Sequence, residues 1–471
     1  MERREFLDKA GKTSLGIAAS GTLFSLLNGC SSAGKKWNIV FVLTDDQGWN
    51  TVNYHGFGFY ETPNMDRIAE EGMFFTDAYA APVCSPTRAS LMTGKYPARV
   101  HLTDYIPGNP WPYRKLATPK QEERLSLDEI TIPEMLKKKG YVTGHFGKWH
   151  LNYDKNYEPG RPGDPASQGF DEVLTTVKPK PDADPKGDAH HSVEITDRSL
   201  QFIEKHQDEP FFCYVSYHSV HRPLMEDPEW VKKYKDKPDS HLDENNPIMA
   251  AMIERMDNGI GQILDQLEQL GLSENTIVIY YSDNGGFEEL QDQTPLYGGK
   301  ATIFEGGIKV PLAIKWPGVI QPGSKCITPV ISNDFFPTIM EMTRTSFDKT
   351  DIDGKSLITL LKQKGNIDRD AIYFHYPHYH HQGFKPASAI REGDYKLIEW
   401  YEASLLDQPG QINLYNVRED VGETNDLAKK MPDLAQRLRD KLHKWRMEVG
   451  AQEMIINSDY NPKKAHIKRE K

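Results

Sequence analysis

Four mostly apolar segments of the sequence each end in a group of polar, ionisable residues, and this pattern limits the fold more than any other feature. The segments are residues 39–43, 141–146, 211–217 and 276–281. Continuous apolar runs with β-branched residues are typical of strands buried on both faces of a sheet, which usually means parallel strands covered by helices. Helical apolar patterns lie between the segments, at residues 130–139, 193–206 and 250–270. The alternation predicts an α/β fold.

The polar residues after the four segments are expected to share one crevice, because open α/β sheets bind ligands beyond the carboxyl ends of their strands. These residues are Asp45 and Asp46, Lys148 and His150, His218 and His221, and Asp283 and Asn284. The carboxylate and amide oxygens among them are hard ligands, which suit Ca²⁺ or Mg²⁺ and not zinc or copper. Asp-Asp and Asp-Asn-Gly-Gly are also good turn formers, so capping of the strand ends is the alternative interpretation.

A fifth polar cluster lies on a predicted short helix that begins at Cys84. Pro86 suits the first turn of this helix, and Gly94 suits its C-terminal cap. Arg88 follows Cys84 by about one helical turn. A helix N-terminus and a nearby guanidinium both lower the pKa of a thiol, so a reactive cysteine is one interpretation. A buried structural cysteine is the alternative.

The beginning of the chain has the features of an export signal. Arg3 and Arg4 precede an apolar run at residues 15–27, which ends in Leu-Asn-Gly-Cys30. A charged start, a short apolar stretch and a small residue at its end define a secretory signal. The ending is similar to a bacterial lipoprotein signal, which would make Cys30 a lipidated N-terminus, and the arginine pair is similar to a twin-arginine signal. A soluble periplasmic protein cleaved nearby and a plain membrane anchor are the alternatives.

The charge of the chain excludes one class of partner. Among 471 residues, 57 are Lys or Arg and 68 are Asp or Glu, so the formal net charge is −11. Nucleic acid is excluded as the main partner, because neutralising its phosphates needs a basic face. An anionic substrate must therefore be met by a few local cations. None of the four cysteines belongs to a CxxC pair, which argues against a zinc knuckle or a disulfide framework.

The C-terminal part has the pattern of a smaller α+β region. Antiparallel strands with a turn at Gly393 are predicted for residues 387–391, 395–401 and 412–416. One face of a later helix carries predicted core residues, which are Leu434, Leu438, Leu442 and Trp445. Residues 456–471 are polar and are expected to form a mobile tail.

One segment of this region, residues 374–383, is rich in aromatic and imidazole groups. Such groups suit stacking on a sugar ring and hydrogen bonding to its hydroxyls. We therefore interpret His378, His380 and His381 as a candidate substrate rim. A packed loop and an adventitious metal-binding tract are the alternatives.

The segment Cys84-Ser-Pro-Thr-Arg88, followed by Ala-Ser-Leu-Met-Thr-Gly94, closely resembles the signature of the type I, formylglycine-dependent sulfatases of the alkaline phosphatase superfamily. The resemblance covers most of the chain after the export signal, and it is to bacterial lipoprotein polysaccharide sulfatases in particular. Further matching motifs lie at residues 45–46, 147–150, 221–223, 283–286, 299–300, 305–311 and, less specifically, 353–354.

The resemblance implies a fold and a domain organisation. The fold is α/β, with a large mixed, mainly parallel sheet sandwiched by helices and a smaller C-terminal α+β subdomain that carries an antiparallel sheet. The implied segments are an export or lipoprotein signal at residues 1–30, a sulfatase catalytic domain at 36–340, a C-terminal subdomain at 341–455 and a polar tail at 456–471.

The resemblance also implies a nucleophile and a metal site. A maturation enzyme would oxidise Cys84 to Cα-formylglycine (3-oxoalanine). One hydroxyl of the aldehyde hydrate would attack sulfur, and the other would later expel sulfate. Together with Cys84, the ligands of Ca²⁺ or Mg²⁺ would be Asp45, Asp46, Asp283 and Asn284.

Further residues would act on the sulfate and on the hydrate. Arg88 and Lys148 would hold both groups, and His150 would be the base that deprotonates the remaining hydroxyl. Two other residues would contact the sulfate and protonate the leaving alcohol, namely His221 and Lys300. His218 competes for the first of these two positions, although Pro223 lies at the offset that the family pattern requires of His221.

The implied activity is hydrolysis of sulfate esters on carbohydrate, such as polysaccharide or glycosaminoglycan fragments, by an exported protein in the periplasm or on the cell surface. The membrane would be contacted only through a lipid on Cys30. One alternative is a phosphodiesterase or phosphonate monoester hydrolase of the same superfamily. Another is a glycan-binding lipoprotein in which Cys84 is never converted.

Overall fold

Strand β1, Asn38–Thr44, is buried along its whole length. Its side chains alternate between two separate cores, because Phe41 and Leu43 contact one core while Val40 and Val42 contact the other. Successive side chains of a strand point to opposite faces, so a strand that is apolar at every position needs cover on both. The central sheet is therefore sandwiched between layers, as the sequence predicts.

The computed structural model of the chain describes residues 36–108, 110–153, 160–381 and 384–466. Those from Trp37 onward belong to one compact unit. The predicted export signal with Cys30 lies outside the described residues, as do residues 467–471 of the predicted tail. No helix within the described ranges is both long and apolar enough to cross a membrane.

The four strands that the apolar segments predict are all present, and they are β1, β4, β6 and β7. Within the described residues they are β1 (Asn38–Thr44), β2 (Met73–Tyr79), β3 (Leu116–Ala117), β4 (Val142–Gly147), β5 (Glu172–Thr175), β6 (Phe211–Ser216), β7 (Thr276–Ser282), β8 (Lys309–Lys315), β9 (Ser324–Cys326), β10 (Val330–Ile331), β11 (Ile372–Tyr376), β12 (Ala387–Glu392), β13 (Tyr395–Trp400), β14 (Ile412–Asn416) and β15 (Ile455–Ile456).

The predicted helices between these strands are also present, as α3, α4 and α6. The α-helices of the described residues are α1 (Pro63–Glu70), α2 (Cys84–Thr93), α3 (Ile132–Lys138), α4 (Ser192–Lys205), α5 (Pro228–Lys235), α6 (Pro247–Gln269), α7 (Glu305–Ile308), α8 (Phe335–Met342), α9 (Ile358–Leu361), α10 (Tyr401–Leu405) and α11 (Pro432–Glu448). Short 3₁₀ helices lie at Trp49–Thr51, Asn53–His55, Pro165–Gln168, Ser273–Asn275, Ser332–Asp334 and Lys349–Asp351.

The central sheet has nine strands in the order β10-β2-β8-β7-β1-β6-β4-β5, with β9 paired to β2. Neighbouring strands from β7 to β5 are parallel, and β8 is antiparallel to both of its neighbours. Residues of α1, α4, α5 and α6 pack on one face, and residues of α2, α3, α8 and α9 pack on the other. The mixed, mainly parallel sheet between helices confirms the predicted fold class.

A separate antiparallel sheet follows in the C-terminal part, with the strand order β11-β12-β13-β14. The predicted helical face lies against it, since Leu438 and Leu442 of α11 share a core with Ile390 and Leu397 of the sheet. The predicted tail begins as an ordered segment: Ile456 pairs with β3, and the Asn457 side chain donates to the carbonyl oxygens of residues 112 and 114 at 2.8 Å. The expectation of a tail that is mobile from residue 456 is therefore corrected for its first residues.

Candidate active site

The ends of four neighbouring strands lie at one level of the central sheet. Leu43 of β1 pairs with Ser216 of β6 and with Tyr281 of β7, and Gly147 of β4 pairs with the same Ser216. The polar residues that follow these strands therefore meet at one edge of the sheet, as the sequence predicts.

Gly147 lets the chain turn into this edge at the end of β4. Its φ is +114°, and a Cβ atom there would lie 1.9 Å from the carbonyl oxygen of Ser216, so only glycine fits. The N–H of Lys148 donates to that same carbonyl at 2.8 Å. The Lys148 side chain then reaches the site, where its Nζ lies 2.5 Å from Oδ2 of Asp45.

Three carboxylates and one thiol form a buried cluster beyond the strand ends. One ligand atom from each of Asp45, Asp46, Cys84 and Asp283 lies within 4.8 Å of the others. The thiol of Cys84 lies 3.4 Å from Oδ1 of Asp45 and 3.8 Å from Oδ1 of Asp46. Asn284 joins the cluster, since its Nδ2 donates to Oδ1 of Asp46 at 2.8 Å. The structure thus brings together the five residues that were predicted to hold a metal.

Two oxygens of this cluster are buried without a hydrogen-bond partner among the described residues, Oδ2 of Asp46 and Oδ1 of Asn284. Buried polar atoms in folded proteins almost always have a hydrogen-bond partner or a bound ion, so each of these two oxygens is a candidate metal ligand. A set of carboxylate and amide oxygens is the donor chemistry of a hard divalent cation. The residues present therefore fit Ca²⁺ or Mg²⁺.

Cations counter the carboxylates from the other side. The ammonium of Lys300 contacts Oδ1 of Asp46 and lies 3.4 Å from the sulfur of Cys84. Arg88, on α2, donates through Nη2 and Nε to Oδ2 of Asp283 at 2.7 and 2.9 Å. Lys148, at the end of β4, is the third positive side chain around the cluster. Such a site can bind an anionic group at its centre.

The carboxyl groups of the two adjacent aspartates are shifted in opposite directions. Burial raises the pKa of Asp46 to about 6, and the charges of Asp45 and Asp283 add to the rise although Lys300 opposes it. Burial also acts on Asp45, but Lys148 and the other cations outweigh it and hold its pKa well below the usual value. A bound divalent cation would relieve the like-charge repulsion at Asp46.

The structure corrects the predicted effect of the helix N-terminus on Cys84. Burial raises the pKa of this thiol well above its usual value, and the negative charge of Asp283 adds to the rise while Lys148 and Lys300 oppose it. The guanidinium of Arg88 is bonded to Asp283 and not to the sulfur. The expectation of a lowered thiol pKa is therefore wrong, because helical spacing does not reveal burial.

Two histidines after β6 face different partners. His221 points to the cluster, with its Nε2 3.8 Å from Oδ2 of Asp46 and its Nδ1 donating to the carbonyl of Arg222 at 2.7 Å. His218 is fully buried, and its Nε2 shares a 3.0 Å hydrogen bond with Oγ1 of Thr176. Of these two histidines, His221 is therefore the one whose ring faces a carboxylate of the cluster.

His150 is held in one orientation beside the site. Its backbone has φ +54°, and its Nε2 lies 2.8 Å from the carbonyl oxygen of Ile106. Because a carbonyl only accepts, Nε2 carries the proton, and the neutral ring presents Nδ1 as its acceptor nitrogen.

A cleft of about 190 Å³ opens next to Lys300. The lysine passes over the ring of Phe287, with its Nζ 4.8 Å from the ring centre. The cleft is lined by Glu288, Glu289, Tyr297, Gly298, Lys300, Thr302, Phe304 and Phe384. It combines aromatic faces with hydrogen-bond acceptors, which is the chemistry of a sugar-binding surface.

Of the three histidines predicted to form a substrate rim, two are buried and one is exposed. His378 is buried and its Nε2 shares a 2.7 Å hydrogen bond with Oγ1 of Thr103, so the interpretation of this residue as part of a rim is corrected to a packed imidazole. His380 is also buried, beside the ring of Tyr105. His381 is exposed, with its ring centre 4.0 Å from that of His380.

Three further residues of the site were not predicted from the sequence. Ser216 accepts a 2.7 Å hydrogen bond from Nη1 of Arg88, and its place at the end of a predicted strand was the available signal. Phe287 lies under Lys300. Partial desolvation and the positive charges of Lys148 and Lys300 lower the pKa of Lys178, an exposed residue that follows the short strand β5. No sequence pattern marks the last two.

Comparisons with known proteins agree with this geometry. The family model "Sulfatase" matches residues 37–345, and the model "N-sulphoglucosamine sulphohydrolase, C-terminal" matches residues 296–448. A sulfatase of Formosa agariphila is 31% identical over 89% of this chain and 90% of its own length. The human N-acetylgalactosamine-6-sulfatase is 30% identical over 74% of this chain and 70% of its own length.

Solved structures show the same fold. The structure of Ps i-CgsB in complex with k-i-k-neocarrahexaose superposes with a TM-score of 0.74 at 24% identity, and it covers 90% of this chain and 95% of its own. The Agrobacterium radiobacter phosphonate monoester hydrolase has a TM-score of 0.66 at 18% identity, with 88% and 96% covered. Because one family model spans well over half of the chain and the Formosa relative matches it along nearly its full length, the chain belongs to the sulfatase family.

Proposed function

We propose that this protein hydrolyses sulfate esters of carbohydrate, in polysaccharides or glycosaminoglycan fragments. The observation that carries the proposal is the position of the Cys84 sulfur, 3.4 Å from both a carboxylate oxygen of Asp45 and the ammonium of Lys300. A nucleophile at this point would have anionic metal ligands on one side and cations for the sulfate oxygens on the other.

Asp45, Asp46, Asp283 and Asn284 would hold Ca²⁺ or Mg²⁺ together with residue 84. Support comes from the oxygen donor set, from its complete burial and from the two acceptor atoms that lack a partner within the described residues. When bound, the ion would supply positive charge that polarises the sulfate oxygens.

Cys84 would reach its active form through a maturation enzyme that oxidises it to Cα-formylglycine, which supplies an aldehyde hydrate as the nucleophile. The raised pKa of the thiol supports this proposal, since an unmodified Cys84 is a poor nucleophile at neutral pH. A covalent sulfo-thiol would have to be cleaved by an external nucleophile, whereas the second hydroxyl of a hydrate is an internal group that can expel the sulfate as it becomes a carbonyl.

The cations would orient the sulfate. Lys148 and Lys300 would donate to its oxygens, and Arg88 would fix Asp283 in place while adding positive charge. His150 would accept a proton at Nδ1 from the hydroxyl of residue 84, because Nε2 is committed to a carbonyl. Lys300 and, in its imidazolium form, His221 would donate a proton to the leaving alcohol oxygen. His221 would do so from Nε2, because its Nδ1–H is held by the carbonyl of Arg222.

The leaving sugar would occupy the cleft next to Lys300. Tyr297 and Phe304 offer ring faces, and Glu288 and Glu289 accept hydrogen bonds from hydroxyls. His381 is exposed and close to this region in sequence, so it remains the candidate rim residue of the three histidines. The names of the relatives, which include an N-acetylgalactosamine-6-sulfatase, support a carbohydrate substrate.

We also propose that the protein is exported and anchored through a lipid on Cys30. The charged start, the short apolar stretch and the Leu-Asn-Gly-Cys ending support this, as does the bacterial origin of relatives such as the N-acetylgalactosamine-6-O-sulfatase of Bacteroides thetaiotaomicron. Replacement of Cys30 by serine should release the protein from the membrane fraction and remove its labelling by fatty acid.

The activity is tested on protein purified from its native host, or co-expressed with a formylglycine-generating enzyme. The mass of the tryptic peptide that contains Cys84 reports conversion, and sulfate release from an aryl sulfate and from a panel of sulfated sugars reports activity. Cys84→Ala should abolish turnover. Cys213→Ala is the matched control, because Cys213 is an equally buried thiol inside β6.

Three outcomes contradict the proposal. Faster hydrolysis of a phosphodiester or a phosphonate monoester than of any sulfate ester would assign the site to the alternative hydrolase. An unmodified Cys84 in protein from the native host, together with binding of glycans, would favour the binding protein. Full activity of Cys84→Ala would exclude residue 84 as the nucleophile.

A further inference from the structure

A second cleft, of about 480 Å³, lies where the β2–β8–β9 side of the central sheet meets the C-terminal antiparallel sheet. None of the residues that line it belongs to the carboxylate cluster or to the cleft beside Lys300. Its size falls within the range of roughly 300–1,000 Å³ that is common for small-ligand sites.

The lining of this cleft is positively charged. Four cations line it, which are Lys309, Lys325, Arg391 and Arg418, and the one carboxylate among its lining residues is Asp77. The chain as a whole has a net charge of −11, so this concentration of cations runs against its average. A concave cationic surface attracts anions, and its field is focused by the protein around it.

Two of the cations are held in place by ion pairs with Asp77. Arg391 lies 2.9 Å and Lys309 lies 3.4 Å from the same oxygen of Asp77, and both side chains are largely buried. The other two cations are free to meet a ligand: Lys325 makes no ion pair within the described part of the chain, and Arg418 has a long, exposed pair of 3.9 Å with Asp394.

Aromatic rings lie among these cations. Trp49 stacks on His55 with ring centres 4.3 Å apart, and the ammonium of Lys309 lies 5.4 Å from the indole. Lys325 lies 5.9 Å from the ring centre of Phe74. The indole N–H of Trp49 is buried and has no acceptor among the described residues. The cleft therefore offers aromatic rings beside its cations.

We propose that this cleft binds a sulfated saccharide segment away from the catalytic centre. The choice of a sulfated sugar as the anion rests on the proposed function, whereas the binding of an anion does not. Cations would meet the sulfate groups, and the ring faces would meet the apolar faces of the sugars. A bound segment would hold a polymer on the enzyme between hydrolytic events. A nucleic acid is the less suitable anion, because its binding needs an extended basic face.

Binding is measured with Cys84→Ala, so that no probe is consumed, by the anisotropy of fluorescently labelled dextran sulfate at one fixed low salt concentration. Inorganic sulfate is added to occupy the catalytic site. The test variant adds K325E and R418E, which reverse the two exposed cations of the cleft. The matched control adds K232E and K444E, whose side chains are 73% and 74% exposed on helices α5 and α11, away from the cleft.

The cleft variant should bind dextran sulfate about tenfold more weakly than the parent, while the control stays within about twofold. Unlabelled dextran should not compete. In enzyme that lacks the Cys84→Ala substitution and carries formylglycine at position 84, the cleft substitutions should raise KM for a sulfated polymer and leave kcat/KM for a small aryl sulfate unchanged.

Equal binding by the cleft variant and the control would overturn the proposal. A single-stranded DNA oligonucleotide that competes as well as unlabelled dextran sulfate would overturn the assignment to a saccharide. Since the binding assay needs no turnover, an enzyme that hydrolyses no sulfate ester would fail the proposed function without affecting this result.

Discussion

Arg88 and Asp283 form an ion pair that is buried in full, with Nη2 and Nε of the arginine 2.7 and 2.9 Å from one carboxylate oxygen. The remaining terminal nitrogen, Nη1, donates to the carbonyl of Lys148 at 2.8 Å and to Oγ of Ser216 at 2.7 Å. One side chain of α2 thus ties together the ends of β4, β6 and β7. A planar, forked guanidinium can make these bonds at once, whereas an ammonium cannot.

Arg88→Met should therefore destabilise the fold as well as abolish activity. Removal of one partner from a buried ion pair leaves an uncompensated charge, which costs about 3–5 kcal/mol. Arg88→Lys keeps the charge and should recover part of the stability, but not the bonds to residues 148 and 216. Urea unfolding followed by circular dichroism measures both, and a midpoint of Arg88→Met equal to that of the parent would contradict this role.

Glu399 should stabilise the C-terminal sheet in a pH-dependent way. Burial alone would raise its pKa, but His443, Arg446 and the other cations lower the pKa to about 2 from its ordinary value of 4.5. A lowered folded pKa gives stability that is present above about pH 4.5 and is lost as the pH falls towards 2. By linkage, the contribution is about 3 kcal/mol.

Glu399→Gln should lose this contribution at pH 7, and the difference from the parent should shrink between pH 4.5 and the lowest pH at which both remain folded. Urea midpoints across this range measure it. Asp394→Asn is the control, since Asp394 is half-exposed and only distantly paired. A difference that stays constant with pH would show that Glu399 acts through packing alone.

Glu423 should show the opposite pH dependence. It lies 2.8 Å from the buried ammonium of Lys396, which also contacts Glu305 at 3.0 Å. Burial raises the pKa of Glu423 to about 7, and the charge of Glu305 adds to the rise although Lys396 opposes it. A raised folded pKa gives stability that is present below about pH 4.5 and is lost as the pH rises through about 7.

Glu423→Gln mimics the protonated form, so the variant should become more stable relative to the parent as the pH rises from 5 to 8. Thermal unfolding at several pH values measures this. A parent that gains stability over the variant in the same interval would mean that Glu423 is ionised throughout and that Lys396 outweighs its burial.

Calcium should stabilise the protein through the carboxylate cluster. A ligand that binds only the folded state at about one hundred times its Kd contributes about 2.7 kcal/mol. Addition of Ca²⁺ should therefore raise Tm, and a chelator should reverse the rise. Asp46→Asn should reduce the effect, whereas Asp353→Asn should not, because Asp353 pairs with Arg99 outside the cluster. An equal response of both variants would place the ion elsewhere.

The strands that could be predicted from the sequence are those whose own residues form a clear apolar pattern. The site residues that could be predicted are those that directly follow these strands. β1, β4, β6 and β7 are continuous apolar runs, so both their burial and the place of the residues after them could be predicted. β8 was not predicted, because Pro311 lies within it and proline normally argues against an inner strand. β2 was not predicted either, since Asp77 interrupts its apolar pattern and its pairing with β8 shifts register between Phe75 and Ala78.

The properties of single site residues depended on partners far away in the chain. The spacing of Cys84 and Arg88 suggested a low thiol pKa, but Arg88 is bonded to Asp283 and the thiol is buried. His378 looked like a surface group in a polar, aromatic segment, yet its partner is Thr103, 275 positions away. Local patterns carry no information about such contacts.

The two histidines after β6 offer the sharpest test of the chemistry. His221 lies at the cluster, 3.8 Å from Asp46, and the proposed mechanism gives it the proton for the leaving alcohol. His221→Gln should then lower kcat by about 10²–10⁴-fold for a sugar sulfate, whose alcohol needs a proton to leave. The loss should be much smaller for an aryl sulfate with an acidic phenol, which leaves without one.

His218→Gln is the matched control. It replaces a buried imidazole whose Nε2 shares a hydrogen bond with Thr176, and the amide can make that bond again. Its effect should be small and equal for the two substrates, because a structural role does not depend on the leaving group. The slope of log kcat against the pKa of the leaving group therefore separates the two residues: it should steepen for His221→Gln and stay unchanged for His218→Gln. The reverse pattern would transfer the role of the acid to His218.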